Sequence, residues 1–554
     1  MNLEARKSHI AGIDAWIIIF SIAVLAINLA VRGWFNVHTA MSRDEPYTLY
    51  FAQLPVRQLI PIVLDSNNPP TFEILLHFWS QLFGNGERAV RWLPTIIISL
   101  GSIPFALLGK RIGGFPAMFF SSLLFLGSGA LMNFSHLDRA YCLLISGAIF
   151  QNYFLIKLSE SPSRMPALGW IIATTLMCYA HYFGWFMLAL TWFLLFSIPS
   201  LKAIVFRRVL SATVVTLLLS APIIILVFRQ LSAAASENAL ELTTPNVDRM
   251  AQLITEFLNS ELAMMLASLT WCVFGLFLLK RKQKRAGAAI TLIGFLFLIT
   301  LFIPVESQHT IITLSLFILF AATIVVCFNA IRLSELPPAE KIILFWSLLP
   351  ITCFFLASAA FPVFIDRYVS FALPAILLSV VVLLHKISLK PIRLAFSALF
   401  LVPFFFGFRF TPAYNVDNRK AIDVFKEYHS AADLGIAGPG YHDFDFTYYF
   451  NPSIFYNGAN HMHDTSGVKL ISDLGFSRYK EGLRRELLRN RIIISHDSST
   501  LHIGNAQSVA YYDGNTKLSY PNNGIYDYLF ARFGEPIERK SFEGIYIVYL
   551  FRKD

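Results

Sequence analysis

Two adjacent carboxylates, Asp44 and Glu45, stand in the polar stretch that follows the first long apolar run of the chain. Charge beside hydrocarbon is energetically costly, so an acidic pair in this place typically serves chemistry or transport. A carboxylate here can accept the proton of an attacking hydroxyl, which is the role of a general base. The simpler alternative is that Asp44 caps a helix and that Glu45 lies in its first turn.

Other polar side chains cluster at the ends of apolar runs that are predicted to face the same side of the membrane. Arginine donates paired hydrogen bonds to phosphate oxygens and can stabilise a departing phosphate. Tyrosine and histidine supply hydrogen-bond donors to sugar hydroxyls. These residue types suit transfer of a sugar from a lipid-linked phosphate to an acceptor hydroxyl. They occur in the segments 135–141, 179–182, 306–309 and 364–368.

Each of these segments also has a simpler structural interpretation. Asp138 beside Arg139, and Asp366 beside Arg367, could form local ion pairs that anchor the ends of loops. A histidine or a tyrosine next to a span is common at the membrane interface. The run Asn67-Asn68-Pro69-Pro70 is by itself a good turn and helix start.

The elements that must carry these residues are membrane helices. The chain has 554 residues, of which 56% are hydrophobic and 14% are charged. Apolar runs recur between residues 13 and 410, and a run of about twenty residues is long enough to cross the hydrocarbon core. The first run lacks a small-residue cleavage site after it and is predicted to remain as a signal anchor. The composition therefore predicts a polytopic helical membrane protein.

Clusters of Lys and Arg predict which loops stay in the cytoplasm, because short basic loops remain inside. A threading that respects every cluster has about thirteen spans, a cytoplasmic N-terminus and an extracytoplasmic C-terminal segment. The stretch 70–84 is apolar but short, so it is predicted as a helix at the outer membrane surface. The predicted spans are 13–31, 88–109, 115–133, 141–158, 166–180, 183–200, 209–228, 261–279, 286–304, 310–329, 342–360, 368–385 and 394–410.

The chain is predicted to divide into a membrane part and an outer domain. Residues 1–410 form an all-α polytopic bundle with two long outer loops, 32–87 and 229–260. Residues 411–554 change in composition and mix helical periods with strand-like runs, which indicates a compact extracytoplasmic α/β or α+β domain. The helical periods are at 419–430 and 478–489, and the strand-like runs are at 434–437, 491–495 and 544–551.

The positive charge of the chain relates to membrane orientation. The net charge is +10, yet residues 411–554 contain 16 Lys and Arg against 17 Asp and Glu. The basic excess therefore lies in the membrane part, where it reports which loops are inside. Membrane lipids are expected partners, and no nucleic-acid partner is expected.

The order of short motifs resembles that of the GT-C membrane glycosyltransferases, in particular the branch of protein O-mannosyltransferases and lipid A aminoarabinose transferases. Each motif is short, and together they extend over about the first 370 residues in family order. They are Asp44-Glu45, Pro69-Pro70, Leu75 to Trp79, Leu82 to Gly84, Arg88 to Pro94, Gly109 to Arg111, Arg139 to Tyr141, Tyr179 to Tyr182 and Arg367-Tyr368.

The resemblance implies an inverting transferase that takes a sugar from a polyprenyl-phosphate carrier on the extracytoplasmic side. Asp44 matches the catalytic acidic position of the family, and Glu45 is its partner. Asn68 stands where the family often has His or Lys before Pro-Pro. An amide brings no charge, so phosphate binding is expected to depend more on the arginines. The residues that match positions lining the donor cavity are Arg139, Tyr141, His181, Tyr182 and Arg367.

No cofactor and no metal site are expected. The oligosaccharyl transferases among the GT-C proteins need a divalent cation held by carboxylates, and the candidate ligands here would be Asp44, Asp138 and Glu306. The protein O-mannosyltransferase branch generally manages without a metal, and this chain is expected to do the same. The run His461 to Asp464 resembles a metal ligand set only weakly.

The sequence thus predicts an enzyme of a plasma membrane, such as a bacterial inner membrane. It would transfer a hexose or pentose from a polyprenyl phosphate to a surface glycan, lipid A or a protein. The alternatives are a transporter or flippase of lipid-linked sugars and a non-catalytic subunit of glycan assembly. Transporters typically show internal repeats and charges near the bilayer midplane. Here the charges stand at span ends and no repeat is visible.

Overall fold

The computed structural model of the chain describes residues 3–36, 41, 44–64, 69–224, 247–280, 288, 291–292, 336–358, 364–387, 389–409, 413–461, 477–514, 524–542 and 545–553. Asn68, Glu306, residues 462–464, most of the loop predicted at 229–260, and nearly all of the spans predicted at 286–304 and 310–329 lie outside the described residues.

Most of the described chain is helical, as the apolar runs predict. The helices are α1 (Leu3–Asn36), α2 (Asp44–Ala52), α3 (Val56–Leu64), α4 (Thr71–Phe83), α5 (Glu87–Gly127), α6 (Gly129–Phe134), α7 (Tyr141–Glu160), α8 (Arg164–Ala180), α9 (Phe183–Ser197), α10 (Pro199–Leu219), α11 (Val247–Phe257), α12 (Glu261–Lys280), α13 (Pro338–Ala357), α14 (Asp366–Val369), α15 (Leu373–His385), α16 (Lys390–Phe406), α17 (Ala413–Ser430), α18 (Asp443–Phe450), α19 (Pro452–His461), α20 (Ser477–Arg489) and α21 (Ile525–Phe533).

Five helical stretches among the described residues are long and apolar enough to cross a membrane. A helix rises 1.5 Å per residue, so about twenty apolar residues match the hydrocarbon thickness. The chain is therefore an integral membrane protein. The five stretches are Ala15–Asn36, Glu87–Gly127, Tyr141–Glu160, Pro338–Ala357 and Asp366–His385.

Helix α5 covers most of two predicted spans, 88–109 and 115–133. Its helical geometry breaks at Gly113 (φ −153°, ψ 28°) and at Gly114 (φ 70°, ψ −155°). A positive φ is disfavoured for residues with a Cβ atom, so glycine allows the chain to turn there. The break lies between the predicted spans 88–109 and 115–133.

By their internal contacts the residues fall into two units, of which the first contains 1–32, 94–136 and 140–410. In this unit α7 packs along α8, and α13 packs along α15. The side chain of Arg32 is fully buried and donates to Ser135 Oγ (3.2 Å) and to the Phe125 carbonyl oxygen (3.1 Å). A buried charge needs such partners, because it has lost its hydration.

The second unit contains 33–93, 137–139 and 411–554, and its centre is a five-stranded sheet in the order β2-β1-β3-β5-β4. Strands β1, β2 and β3 are parallel, whereas β5 is antiparallel to both β3 and β4. The strands are β1 (Leu434–Gly438), β2 (Ile492–Ile494), β3 (Ser508–Gly514), β4 (Glu538–Phe542) and β5 (Tyr546–Arg552).

Helix α17 packs on strands β3, β4 and β5, and side chains of α21 join a core with Val509, Tyr549 and Phe551. This α/β arrangement confirms the predicted strand-like runs as β1, β2 and β5, while β3 and β4 were not predicted. The same unit contains the short helices of the first predicted outer loop. There α2 packs against α4 and also against α18.

Candidate active site

Helix α2 begins at the predicted acidic pair, and Asp44 and Glu45 both lie in its first turn. Acidic side chains are favoured there because they interact with the positive end of the helix dipole. The two neighbours differ in exposure: Asp44 is half-buried, whereas Glu45 is only 1% exposed. Glu45 thus lies in the first turn as the simpler alternative has it, while Asp44 is itself the first residue of the helix and is the more accessible carboxylate.

Glu45 is held by a buried arginine from the start of α5. Arg91 donates from Nε to Glu45 Oε1 and from Nη2 to Oε2, both at 2.8 Å, and both side chains are 1% exposed. The backbone N–H of Asp138 also donates to Glu45 Oε1, at 3.3 Å. A paired, hydrogen-bonded charge can be tolerated in a buried place, and a bidentate arginine fixes the orientation of the carboxylate.

Asp138 lies directly beside this pair, and its side chain is fully buried. Neither carboxylate oxygen accepts a hydrogen bond from the residues that the structure describes, so the local ion pair with Arg139 considered above is not formed. Burial raises the pKa of Asp138 well above its ordinary value; the charge of Glu45 raises it further, and Arg91 partly opposes the shift.

Arg139 reaches helix α2 one turn after Asp44. Its Nη1 donates to Thr48 Oγ1 at 3.1 Å, and Thr48 Oγ1 in turn donates to the Asp44 carbonyl oxygen at 3.3 Å. The guanidinium carbon lies 5.6 Å from the centroid of the Tyr47 ring, within the range of a cation–π contact. Arg139 is partly exposed, so this geometry places a guanidinium with access to solvent beside the acidic helix.

A further carboxyl group, Glu73, belongs to the same unit and was not predicted as a site residue. It lies in α4 and is 5% exposed, and its Oε2 has no hydrogen-bond partner among the described residues. Burial raises the pKa of Glu73, and the charge of Arg139 acts in the opposite direction. The attraction to Arg139 links Glu73 to the cluster around α2.

The first unit contains the other predicted site residues that the structure describes. The His181 ring is 5.6 Å from Tyr141 and 6.0 Å from Tyr368 between centroids, and it stacks on Phe183 at 4.8 Å. His181 and Tyr141 are buried, whereas Tyr182 is half-buried. Tyr141, His181 and Tyr368 therefore form one aromatic cluster.

Arg367 extends this cluster by a cationic group. Its guanidinium carbon lies 5.7 Å from the centroid of the Tyr368 ring, and the side chain is partly exposed. Stacking on an aromatic ring leaves the edge of a guanidinium group able to donate hydrogen bonds to an anion. Asn68, the remaining predicted donor-binding residue, lies outside the described residues.

Arg91, which contacts Glu45, and Thr48, which contacts Arg139, were not predicted as site residues. The signal for Arg91 is that it stands at the start of a long apolar helix, where a charged side chain needs a buried partner. Thr48 carried no such signal, because a single threonine on a helix is common.

The carboxylates were also considered as metal ligands. Among the residues that the structure describes, no group of three or more His, Cys, Asp or Glu side chains could hold a metal ion. Both oxygens of Glu45 are occupied by Arg91, and Glu306 lies outside the described range. The metal independence expected from the sequence stays a prediction.

The solved structures that this chain distantly resembles include an ArnT protein and an archaeal oligosaccharyltransferase. One is ArnT from Cupriavidus metallidurans in the apo state, with 13% sequence identity over 97% of this chain and 98% of that chain and a TM-score of 0.44. The same protein bound to undecaprenyl phosphate gives 14% identity and a TM-score of 0.41 over the same shares of both chains.

Another is the archaeal oligosaccharyltransferase AglB from Archaeoglobus fulgidus, in complex with an inhibitory peptide and a dolichol-phosphate. It has 13% identity over 90% of this chain and 70% of that chain, with a TM-score of 0.45. No family model and no curated protein matches the chain. The solved structures named above share no more than 14% of their residues with this chain.

Proposed function

We propose that this protein is an inverting glycosyltransferase that moves a sugar from a polyprenyl phosphate to a hydroxyl group of an extracytoplasmic acceptor. One observation carries the proposal. The partly exposed carboxylate Asp44 begins a helix that the buried pair of Glu45 and Arg91 holds, and the partly exposed guanidinium of Arg139 donates to Thr48, one turn further along the same helix. A base and an anion-binding group in adjacent positions are what this reaction requires.

In this reaction the Asp44 carboxylate takes the proton of the acceptor hydroxyl. At the same time, the oxygen of that hydroxyl attacks the anomeric carbon of the donor sugar. The new bond forms on the face opposite the phosphate, so the configuration inverts, and the electron pair of the breaking C–O bond goes to the phosphate oxygen. Arg139 stabilises that developing charge. Glu45 is proposed to act by fixing the start of α2, because both its oxygens are engaged by Arg91.

Tyr141, His181, Tyr182 and Arg367 are proposed to bind the donor, as the resemblance implies, and the same role is proposed for Asn68. Arg367 suits a phosphate oxygen, and the rings suit the apolar faces of a sugar or the adjoining lipid. The protein is proposed to lie in a bacterial inner or plasma membrane with residues 411–554 outside. The acceptor is a glycan, lipid A or a protein.

Mass spectrometry of surface glycans and lipid A, from cells that contain the wild type or Asp44→Asn, tests the proposal. We expect one hexose or pentose to be missing with the variant, because an amide cannot accept the proton. Asp423→Asn is the matched control, since Asp423 is exposed on α17 and pairs with Lys426 on the same helix. Unchanged glycans with Asp44→Asn would favour the transporter or the non-catalytic subunit.

The role of Arg139 is tested by binding of undecaprenyl phosphate, as a probe, to the purified protein in detergent. Arg139→Ala is expected to bind the probe about tenfold more weakly or worse. Arg139→Lys is expected to recover part of the loss, because lysine retains the positive charge but lacks the paired hydrogen-bond donors of arginine. Equal binding by all three proteins would contradict the role. Transfer that survives EDTA would support metal independence.

A further inference from the structure

Helix α18, in the C-terminal segment, presses an aromatic side chain onto the helix that begins with Asp44. Phe444 is 3% exposed. Its ring centroid lies 5.4 Å from that of Tyr47, 5.0 Å from that of Tyr50 and 5.9 Å from that of Phe51. These three residues share one face of α2, because positions i, i+3 and i+4 of a helix are neighbours. Phe444 therefore packs into a groove along that face.

The residues on either side of Phe444 are anchored in the C-terminal segment. Asp443 is fully buried and pairs with Arg484 of α20 at 3.1 Å. Asp445 Oδ2 contacts His442 Nδ1 at 2.7 Å and accepts from Asn418 Nδ2 at 3.0 Å. Polar contacts on both sides of one residue hold its backbone in place. The backbone at Phe444 is thus held within the C-terminal segment, while its ring packs on α2.

A second contact fixes the chain just before α2. The backbone N–H of Met41 donates to the Tyr449 hydroxyl oxygen at 2.5 Å, and Tyr449 belongs to the same helix as Phe444. Helix α18 therefore touches the segment of Asp44 on both sides of that residue.

The Tyr47 ring connects Phe444 to the arginine of the candidate site. The Phe444 ring packs edge to face on the Tyr47 ring, with an interplanar angle of 88°. The Arg139 guanidinium carbon lies 5.6 Å from the centroid of the Tyr47 ring. A cation–π contact depends on where the ring lies, so displacement of Tyr47 displaces the best position of the guanidinium. The Thr48 hydroxyl, the other contact of Arg139, is on the same helix.

We infer that Phe444 is a positioning residue of the active site, which sets Tyr47 and α2 and through them the Arg139 guanidinium beside Asp44. On this account the C-terminal segment contributes to the active site by positioning its residues. The inference rests on the proposed function for its effect on transfer, whereas its structural part is independent of that function.

The structural part is tested by hydrogen exchange of the full-length protein in lipid nanodiscs, with Phe444→Leu against the wild type. Leucine keeps most of the apolar volume and removes the ring. We expect faster exchange in peptides that cover residues 44–52 and unchanged exchange in those that cover strand β3, 508–514. Unchanged exchange at 44–52 would overturn the inference, and so would equal acceleration in both regions, since that reports general loosening.

The functional part is tested by undecaprenyl phosphate binding and by transfer. Phe444→Leu and Tyr47→Leu are each expected to weaken binding about tenfold or more, since small displacements of positioning groups have large effects. The double variant should lose no more than the more affected single variant, because both act through one ring. Tyr47→Phe, which keeps the ring, should lose less than Tyr47→Leu.

Phe530→Leu is the matched control, because Phe530 is 42% exposed on α21, and it should bind as the wild type does. Additive losses, or wild-type binding by Phe444→Leu, would overturn the inference. If Phe444→Leu does not fold, Tyr47→Leu tests the same contact with the C-terminal segment unaltered. A wild type that neither binds the probe nor transfers sugar would refute the proposed function, while hydrogen exchange would still decide the positioning role.

Discussion

The two neighbouring carboxylates of α2, Asp44 and Glu45, differ in their surroundings. Glu45 faces Arg91 in a place that water does not reach, with two hydrogen bonds of 2.8 Å, whereas Asp44 keeps access to solvent. A general base needs to reach its substrate, and a positioning group needs to stay fixed. These different surroundings support the proposal that Asp44 is the base and that Glu45 positions the start of α2.

Breaking the buried pair should be costly, and removing both partners should cost less. Glu45→Gln or Arg91→Met alone leaves an uncompensated or poorly paired buried group, which typically costs about 3–5 kcal/mol. The double variant removes both charges of the pair and should recover much of that loss. Thermal unfolding of the purified protein, compared in a double-mutant cycle, measures the coupling. Simple addition of the two losses would show that the pair does not act as described.

Asp138 should give the protein a characteristic dependence of stability on pH. Its pKa is raised in the folded state by burial and by Glu45, so the folded protein binds this proton more tightly than the unfolded chain, whose Asp pKa is about 3.9. The corresponding stability is fully present below the unfolded pKa and is lost as pH rises through the folded pKa. Stability should therefore fall as pH increases through that range.

Asp138→Asn removes this titration while keeping the shape of the side chain. We expect a flatter profile of unfolding temperature against pH, and a variant more stable than the wild type at neutral pH. A wild type and an Asp138→Asn variant with parallel profiles would show that Asp138 is not the responsible group.

Helices of the membrane part could be predicted from the sequence because apolar length alone decides them. Spans predicted at 141–158, 166–180 and 261–279 correspond to α7, α8 and α12 within a few residues. Strand β3 was not predicted because Ser508–Gly514 is buried throughout and lacks the alternation of a half-exposed strand. Strand β4 is an exposed edge of mostly polar residues, so it lacked an apolar signal.

The break in α5 provides a prediction at the scale of this element. Gly114 has a φ of 70°, which a residue with a Cβ atom rarely adopts, so Gly114→Ala should cost roughly 1–3 kcal/mol. Gly86→Ala is the control, because a Cβ there would meet open space and the φ is not positive. The unfolding temperature of each variant measures the effect. Equal behaviour of the two variants would mean that the turn tolerates another backbone conformation.

In the whole molecule, the candidate site draws on segments that are far apart in the sequence. Asp44, Arg91, Arg139 and Phe444 belong to one compact unit assembled from three stretches of the chain. Asp44 and Arg139 could be recognised in the sequence by their residue types and by the order of the motifs that contain them. The contacts of Glu45 with Arg91 and of Tyr47 with Phe444 could not, since nothing local in either partner indicates the other.

The most direct test is transfer by the full-length protein reconstituted in lipid vesicles with a panel of undecaprenyl-phosphate hexoses and pentoses. The wild type should release undecaprenyl phosphate and glycosylate an extract of surface glycans and lipid A with inversion. Asp44→Asn should bind undecaprenyl phosphate as the wild type does but transfer at least about a hundredfold more slowly, the usual contribution of a general base. Transfer by Asp44→Asn at the wild-type rate would contradict the account.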